Sequence, residues 1–365
     1  MINIKELLKE AVKKGASDVH IKVKRPPIMR INRQIVITGY DVLKPEDTMS
    51  IARSITTEGQ WKKLMDEHEI DFAYSESEVG RFRTNIFYQR GSIGIVMRHV
   101  RTDILSFEQL GLPGVLEQIS LFQRGIILVC GASSSGKSTT LAAMVNYINS
   151  HERRHIVTLE DPIEYLHADR ECVINQREVG LDTKSFYTAL KNVLRQDPDV
   201  ILIGEMRDAD SFTAAVGASD TGHLVLSTLH TANASQAFGR IMDLFPSSER
   251  DQVRQQLAFN LKAVICQRLI KTPDGSGVVP AVEILLNNKT VQKLVIQNKL
   301  NKIPDAIEIG RDDGMQTFNQ SLIDLIKSKK ITLEEGLAKS DSPEMLKMNL
   351  QGIYLDESNR ILDDS

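Results

Sequence analysis

A glycine-rich octapeptide constrains the fold of this chain more than any other feature. Residues 131–138 read Gly-Ala-Ser-Ser-Ser-Gly-Lys-Ser and match the phosphate-binding loop pattern of Gly, four residues, Gly-Lys-Ser/Thr. In such a loop the backbone N–H groups cradle phosphate oxygens, the lysine reaches the β and γ phosphates, and the serine hydroxyl binds Mg²⁺. The residues expected to bind a nucleoside triphosphate are Gly131, Ser133, Ser134, Ser135, Gly136, Lys137, Ser138 and Thr139.

The segments on either side of the octapeptide have the patterns that such a loop requires. The apolar run from Gly125 to Cys130 predicts a buried parallel strand. The stretch 138–150 predicts a helix, because its apolar residues recur at helical spacing: Leu141, Met144, Val145 and Ile148. The helix N-terminus would then point at the bound phosphates.

Beyond the loop, strand patterns alternate with helix patterns, which indicates an α/β fold with a parallel sheet. The predicted strands are 125–130, 155–159, 172–175, 200–204 and 223–229, and the predicted helices are 138–150, 184–195, 209–219 and 233–244. A long helix is expected over 247–270. A turn at 275–277, a strand at 278–285 and several short helices over 289–350 follow it.

The first hundred residues have a different pattern, which predicts a small α+β domain. It comprises a helix over 1–15, strands at 16–21, 28–31 and 35–38, a helix over 45–66, and an antiparallel pair within 80–100. The resulting division is an N-terminal domain (1–100), a linker (101–115), an ATPase domain (116–285) and a C-terminal helical region (286–365).

Polar residues follow the buried strands at the edge of the sheet that carries the phosphate loop. Glu160, Glu205 and His230 each lie where a predicted strand ends, and ligands of parallel α/β sheets bind beyond these ends. Glu205 follows Val200–Gly204, where an acid that assists Mg²⁺ binding is expected, and Glu160 could orient or activate water. The sequence does not divide these duties between the two acids. His230 could sense the γ-phosphate or be a structural histidine.

Four arginines are candidates for stabilising negative charge on phosphate. Arg195 and Arg207 could act as arginine fingers within one subunit or across an interface, although many arginines near helix ends do neither. Arg81 and Arg83 share the polar face of a predicted strand. They either form a solvated face or reach the phosphates of a neighbouring subunit, and the strand pattern favours neither interpretation.

Composition and charge exclude several classes of protein. The formal net charge is −3 and aromatic residues make up 5% of the chain, which argues against a nucleic-acid motor that needs a basic track and stacking aromatics. The three cysteines lie far apart and without zinc-ligand spacing, as expected for reduced thiols in the cytosol. No apolar run approaches the roughly 20 residues that cross a bilayer. Membrane association is therefore expected only through partners.

Four further runs resemble motifs of the type II/IV secretion ATPases, including their Asp box, Walker B motif and His box. These runs are Ala16–Ile21, Thr158–Tyr165, Leu194–Asp208 and Thr221–Thr231. Within that superfamily the chain is most similar to the PilT/PilU pilus retraction ATPases, over residues 1 to about 350. The resemblance implies a homohexamer whose subunits combine a PAS-like N-terminal domain with a RecA-like P-loop ATPase domain.

The resemblance also implies an activity, its cofactors and its partners. ATP with Mg²⁺ would bind between the two domains, with Ser138 and Glu205 at the metal, and turnover would rotate one domain against the other. Glu160 and Glu205 would be catalytic acids, His230 a His-box residue, and Arg81 and Arg83 nucleotide-binding arginines. The ring would lie in the cytoplasm at the base of the pilus, beside an inner-membrane platform protein and possible paralogous motor ATPases, without binding nucleic acid directly.

Two features distinguish the branches of this superfamily. About 110 residues precede the ATPase domain and there is no four-cysteine zinc site, and both points favour pilus retraction over assembly. The stretch Thr290–Val295 departs from the Ala-Ile-Arg-Asn-Leu-type motif of PilT, and Gly314–Gln320 is more similar to PilU. The main hypothesis is therefore a retraction motor. The alternatives are an accessory PilU-like subunit, an assembly or secretion ATPase and, least favoured, a nucleic-acid translocase.

Overall fold

The chain divides into two units between Thr102 and Asp103, as seen in a computed structural model that describes residues 2–31, 34–275 and 277–353. The N-terminal unit contains a six-stranded antiparallel sheet in the order β3-β2-β1-β6-β5-β4. Its elements are α1 (Ile4–Lys13), β1 (Ala16–Ile21), β2 (Ile28–Ile31), β3 (Gln34–Ile37), α2 (Pro45–Ser54), α3 (Glu58–Glu67), β4 (Glu69–Glu76), β5 (Gly80–Gln89) and β6 (Ser92–His99).

The core of the N-terminal unit lies between one face of this sheet and the helices. Leu7 and Leu8 of α1, Ile51 of α2, and Phe82 and Ile86 of β5 are buried in one cluster. Alternation along β5 places Arg81 and Arg83 on the opposite face from Phe82 and Ile86, as the sequence predicts.

The predicted helix over 45–66 is wrong at its centre, because the chain forms two helices there. Thr57 begins α3, and its side chain accepts a hydrogen bond from the backbone N–H of Gln60, while the Gln60 side chain accepts one from Thr57 N–H. Such a capping box satisfies backbone donors that a continuous helix would bond internally, so it favours a new start. The strand β4 was not predicted, although Ile70 and Phe72 alternate with polar residues.

The second unit is built on a seven-stranded sheet, in the order β13-β12-β7-β11-β10-β8-β9 within the described residues. The pairings are parallel except that β13 runs antiparallel to β12, which confirms the predicted α/β class. The strands are β7 (Gly125–Cys130), β8 (His155–Glu160), β9 (Val173–Glu178), β10 (Val200–Ile203), β11 (Leu224–Leu229), β12 (Leu261–Lys271) and β13 (Val278–Leu286).

Helices cover both faces of this sheet. They are α4 (Phe107–Leu110), α5 (Val115–Ser120), α6 (Lys137–His151), α7 (Phe186–Val193), α8 (Ala209–Asp220), α9 (Ala234–Met242), α10 (Arg250–Asn260), α11 (Lys289–Ile296), α12 (Ile303–Ile309), α13 (Phe318–Lys327), α14 (Leu333–Lys339) and α15 (Pro343–Leu350). Short 3-10 turns occur at Leu194–Gln196, Leu300–Lys302 and Gly310–Asp313. The helix α4 lies inside the segment 101–115 that the sequence predicts as a linker.

Alternation along β7 divides the interior into two layers. Ile126, Leu128 and Cys130 belong to one core, and Ile127 and Val129 belong to the other. The first core also contains side chains of the C-terminal helices, namely Phe318, Leu322, Ile323, Leu325 and Leu346. The C-terminal helices therefore share a core with the sheet that carries the phosphate loop.

The predicted helix over 247–270 is wrong beyond Asn260, where β12 begins. The run Leu261-Lys-Ala-Val-Ile-Cys lies between β7 and β13 and is buried on both faces. A short apolar run of this kind fits a buried helix as well as a central strand, so its periodicity did not distinguish them. The strand is adopted because it fills the hydrogen-bonding edge of β7 that would otherwise be unpaired.

Two predictions extend to residues that the structure does not describe. Residue 276 of the predicted turn at 275–277 and residues 354–365 of the predicted C-terminal region lie outside the described residues. Across the described ranges, no helix combines the length and the apolar character that a membrane-spanning segment needs.

Candidate functional site

The loop after β7 is held so closely that two of its positions accept only glycine. Gly131 has φ +148°, and a Cβ there would lie 2.4 Å from Ser135 Oγ and 2.6 Å from Gln267 O. Gly136 has φ +92°, and a Cβ there would lie 2.7 Å from Gln267 Nε2. Both backbone conformations strain residues with side chains, so conformation and space both require glycine.

The lysine of the loop folds back over the loop itself. Lys137 Nζ donates hydrogen bonds to Gly131 O at 2.8 Å and to Ala132 O at 3.0 Å. Burial lowers the pKa of Lys137, and the nearby negative charge of Glu205 opposes that effect. The side chain is buried against the backbone of the loop. From this position its ammonium group can replace the carbonyl acceptors with phosphate oxygens.

A buried hydroxyl in the same loop is available to a ligand. Ser135 Oγ is buried and has no hydrogen-bond partner among the described residues. An unpaired buried donor is unfavourable, and a phosphate oxygen would satisfy it. The glycine positions, Lys137 and this hydroxyl together fit a bound phosphate chain.

The ends of β8, β10 and β11 meet the loop around one pocket of about 280 Å³. The predicted site residues that line it are Ser133, Ser134, Lys137, Ser138, Glu160, Glu205, Arg207 and His230. The other predicted residues of the loop and the first turn of α6 do not line the pocket, namely Gly131, Ser135, Gly136 and Thr139. The sequence thus anticipated which side chains converge at the carboxyl edge of the sheet.

Three further predicted residues lie outside the phosphate loop and α6 and are also not among those that line this pocket. Arg195 is exposed in the 3-10 turn that follows α7. Arg81 and Arg83 lie on β5 of the N-terminal unit. Their predicted contacts with phosphate therefore remain proposals.

Glu160 ends β8 in a largely buried position. Thr158 Oγ1 donates to Glu160 Oε1 at 2.6 Å, and Gln176 Nε2 donates to the same oxygen at 3.2 Å. Burial raises the pKa of Glu160, and the charge of Glu164 acts in the same direction, while the hydrogen bonds from Thr158, Gln176 and the Glu164 backbone N–H oppose the rise. The carboxylate has increased proton affinity and a fixed orientation, which suits a group that accepts a proton from water.

Glu205 follows β10 and contacts two other site residues. Arg207 Nε donates to Glu205 Oε2 at 2.8 Å, and His230 Nε2 lies 3.4 Å from Glu205 Oε1. Gly204 between β10 and Glu205 is fixed by a hydrogen bond from Thr228 Oγ1 to its carbonyl at 2.7 Å. The carboxylate, the arginine and the histidine therefore form one polar cluster at the ends of two neighbouring strands.

Ser138 and Glu205 provide the oxygen atoms that suit Mg²⁺ at this pocket. Among the described residues, no group of three or more histidine, cysteine or acidic side chains could hold a metal ion. Mg²⁺ in nucleotide sites binds through one or two protein oxygens together with phosphates and water, so a two-residue donor set fits it.

Sequence reasoning missed two glutamines that support the site. Gln267 of β12 is buried against the phosphate loop, and its Oε1 accepts a hydrogen bond from Thr140 Oγ1 of α6 at 2.7 Å. Gln176 of β9 contacts Glu160 and the segment after β8. The sequence signal for both residues was a polar amide side chain within or next to a predicted strand or helix. Only the order of the strands in the sheet shows which element each amide contacts.

Comparisons with known proteins agree with this geometry. The family model described as "Type II/IV secretion system protein" matches residues 1–320. The chain is similar to the Pseudomonas aeruginosa protein named type IV pilus ATPase PilU, with 41% identity over 96% of this chain and 92% of that protein. It is also similar to the protein of the same organism named type IV pilus retractation ATPase PilT, with 39% identity over 94% of this chain and 99% of that protein.

A solved structure is similar over nearly the same length. It is the crystal structure described as the pilus retraction motor PilT with bound ADP, which has 42% identity and a TM-score of 0.88 and covers 95% of this chain and 99% of that one. This likeness supports a nucleotide site at the loop after β7.

Proposed function

The chain belongs to the type II/IV secretion system protein family, and we propose that it is an ATP-hydrolysing motor that powers retraction of a type IV pilus. One observation carries the ATPase activity. The Lys137 loop, Glu160 and Glu205 come from three different strand ends and line one pocket. The similarity to the relatives named PilU and PilT supports the coupling of this activity to a pilus.

The residues of the pocket have separate tasks in this reaction. Lys137 and the backbone of the loop bind and orient the phosphate chain, and Ser135 Oγ donates to it. Glu160 accepts the proton of the attacking water, because its surroundings raise its proton affinity. When Arg207 leaves Glu205, its guanidinium supplies positive charge to the γ-phosphate. His230, which contacts the Glu205 carboxylate, responds to changes in that carboxylate.

Mg²⁺ is the expected metal of this site. Ser138 Oγ and the Glu205 carboxylate would hold it, directly or through water. When bound, it would neutralise charge that develops on the phosphates during transfer.

The remaining predicted arginines act in an assembled ring. We infer a homohexamer in which Arg195, Arg81 and Arg83 bind phosphate oxygens at the boundary between neighbouring subunits. Arginine binds phosphate well because the guanidinium can donate two parallel hydrogen bonds. The domain division 1–100, 101–115, 116–285 and 286–365 belongs to the same proposal, with the first domain moving against the third.

The ring works in the cytoplasm at the inner-membrane base of the pilus. Its partners are the membrane platform protein and, where paralogues exist, other motor ATPases. The platform protein would receive the domain motion and release pilin subunits into the membrane.

Time-lapse imaging of labelled pili tests the function as a whole. A deletion strain should keep its pili but lose their shortening. Wild-type protein should restore shortening and Lys137→Ala should not, while both accumulate to equal levels. Loss of pili in the deletion strain would indicate assembly instead, and shortening driven by Lys137→Ala would refute the motor proposal.

A second candidate function is that of an accessory motor subunit. The similarity to the relative named PilU, and the departure at Thr290–Val295, favour it. An accessory subunit would support shortening only in cells that also contain a second retraction ATPase. Expression of this protein alone in a strain without any other retraction ATPase separates the two functions.

A further inference from the structure

We propose that Gln176 is a positioning residue that fixes both the Glu160 carboxylate and the pocket wall formed by the segment after β8. The proposal rests on the proposed function, because it gives Glu160 a task in ATP hydrolysis. Gln176 does not line the pocket and would act through Glu160.

The first part of the argument is the contact with Glu160. Gln176 Nε2 donates to Glu160 Oε1 at 3.2 Å, and Thr158 Oγ1 donates to the same oxygen at 2.6 Å. Thr158 lies on the same strand as Glu160, whereas Gln176 reaches it from β9, the edge strand that pairs with β8. Together with the Glu164 backbone N–H, which also hydrogen-bonds to this carboxylate, the two side-chain donors define how the carboxyl plane is turned in the pocket.

The second part is the use of both ends of the Gln176 amide. Gln176 Nε2 also donates to Tyr165 O at 2.8 Å, and Gln176 Oε1 accepts from the backbone N–H of His167 at 2.8 Å. The His167 N–H is a donor only, so it requires the amide oxygen, and both amide hydrogens are then used. The network admits a single orientation of the amide, and that orientation points a donor at Glu160.

The third part is what this segment supplies to the pocket. Glu164, Tyr165 and His167 line it, and Tyr165 OH lies 2.8 Å from Thr139 Oγ1 in the first turn of α6. Gln176 therefore connects the acid, the pocket wall formed by this segment and, through Tyr165, the helix that follows the loop. Loss of its amide would release all three together.

The charges around Glu160 set the expected pH response. Glu164 and Asp161 on the same segment, Lys137 of α6, Glu205 and Arg207 after β10, and His230 after β11 face the same pocket. Burial lowers the pKa of His167 to about 4, so that ring is neutral near pH 7. Gln176 stabilises the ionised form of Glu160, and its removal should move the acidic limb of the rate profile to higher pH.

The test compares Gln176→Met with a matched control, Asn149→Leu. Asn149 pins the next part of the same segment: its Nδ2 donates to Ala168 O at 2.8 Å, and its Oδ1 accepts from Arg170 N at 3.1 Å and Cys172 N at 3.2 Å. It lies at the other end of α6 and does not line the pocket. Both substitutions remove an amide that holds this segment, but only Gln176→Met also removes a hydrogen-bond donor from Glu160.

We expect Gln176→Met to lower kcat by about tenfold or more, with KM for ATP within about threefold and the acidic limb moved to higher pH. Asn149→Leu should lower thermal stability and leave kcat and the pH profile unchanged. Gln176→Glu keeps the acceptor for His167, but when ionised it has no donor and repels the charge of Glu160, so it should lose kcat with a larger shift of the acidic limb to higher pH, and it serves if Gln176→Met fails to fold. Wild-type kcat and pH profile in either Gln176 variant, or an equal kcat loss in Asn149→Leu, would overturn the proposal.

Glu160→Gln separates this inference from the proposed function. If Glu160→Gln hydrolyses ATP at the wild-type rate, the catalytic task given to Glu160 is wrong and the inference is overturned with it. If Glu160→Gln is inactive and both Gln176 variants are normal, the proposed function stands and only the positioning task of Gln176 is refuted.

Discussion

Arg207 and Glu205 are joined within one chain, with the Arg207 Nε atom 2.8 Å from Glu205 Oε2. The Arg207 side chain is 65% exposed, so the pair adds little to stability and leaves the guanidinium free to move. We expect Arg207→Met to lower kcat at least tenfold with a small change in unfolding free energy, below about 1 kcal/mol. Steady-state ATPase assays and denaturant unfolding measure the two effects.

The control for this variant is Arg153→Met, which removes another exposed arginine paired with a carboxylate, Glu171, at 3.1 Å and away from the pocket. It should not change kcat. If Arg207→Met turned over ATP as fast as this control does, Arg207 would have no part in the reaction.

The buried hydrogen bond between Thr140 and Gln267 predicts a stability effect next to the phosphate loop. Thr140→Val leaves the Gln267 amide oxygen without its donor and should cost about 1–3 kcal/mol of unfolding free energy. The double variant Thr140→Val/Gln267→Met should lose less than the sum of the single variants, because the pair acts as a unit. Nucleotide affinity should fall in both single variants, since Gln267 packs against Gly131 and Gly136.

A matched pair lies elsewhere in the same unit, where Ser219 Oγ donates to Asn260 Oδ1 at 2.6 Å. Ser219→Ala should destabilise the chain to a similar extent without weakening nucleotide binding. Equal losses of affinity in Thr140→Val and Ser219→Ala would mean that the Thr140 bond has no special effect on the loop.

The buried carboxyl group of Glu283 should make the free energy of unfolding depend on pH. Burial raises its pKa to about 7, and the charge of Asp341 adds to the rise, while the Ala234 N–H and Arg268 oppose it. The folded state therefore binds the proton more tightly than the unfolded state does, and stability falls as pH rises from the unfolded value of 4.5 towards 7. Glu283→Gln should remove this loss and stabilise the chain at pH 8 by up to about 3 kcal/mol, with little effect at pH 4.

Thermal unfolding from pH 4 to pH 8 measures this difference. Glu171→Gln, at an exposed carboxylate that pairs with Arg153, is the control and should leave the pH dependence as it is. A Glu283→Gln variant whose stability curve runs parallel to that of the unsubstituted chain would contradict the expected proton linkage.

The contacts of Arg268 with the C-terminal region should contribute separately to the free energy of unfolding. Its guanidinium donates to both carboxylate oxygens of Asp341 at 2.8 Å and to Lys339 O at 2.7 Å, and it lies 3.9 Å from the Phe318 ring centroid. Arg268→Lys cannot donate to Asp341 and to Lys339 O from two separate nitrogens or reproduce the stacking on Phe318, and should cost about 1–2 kcal/mol of unfolding free energy. Arg311→Lys, at a more exposed arginine 3.7 Å from Asp324, should cost less than half as much.

Short sequence patterns predicted the phosphate-binding loop and the elements directly beside it. The phosphate loop, the strands beside it and the acids at their ends follow from short runs, and the structure brings Lys137, Glu160 and Glu205 to one pocket. The strand β12 was mistaken for a helix, because a run buried on both faces carries no periodicity that separates the two structures.

The supporting glutamines could not be predicted from sequence for a related reason. Gln267 meets Thr140 across a separation of 127 residues, and Gln176 meets Glu160 only because β9 pairs with β8 in register. Such contacts depend on strand order, which follows from the packing of the whole sheet rather than from any single segment.

The shared core of the sheet and the C-terminal helices has a consequence for dissecting the molecule. A fragment that stops near residue 286 would expose the apolar surface that Phe318, Leu322 and Leu346 now cover. It would also leave Arg268 and Glu283 without Asp341, which faces both of them from the segment between α14 and α15. Such a fragment should aggregate on expression, whereas one that starts at residue 103 and extends to residue 353 keeps its interior intact and is the smaller piece suited to crystallisation or ligand screening.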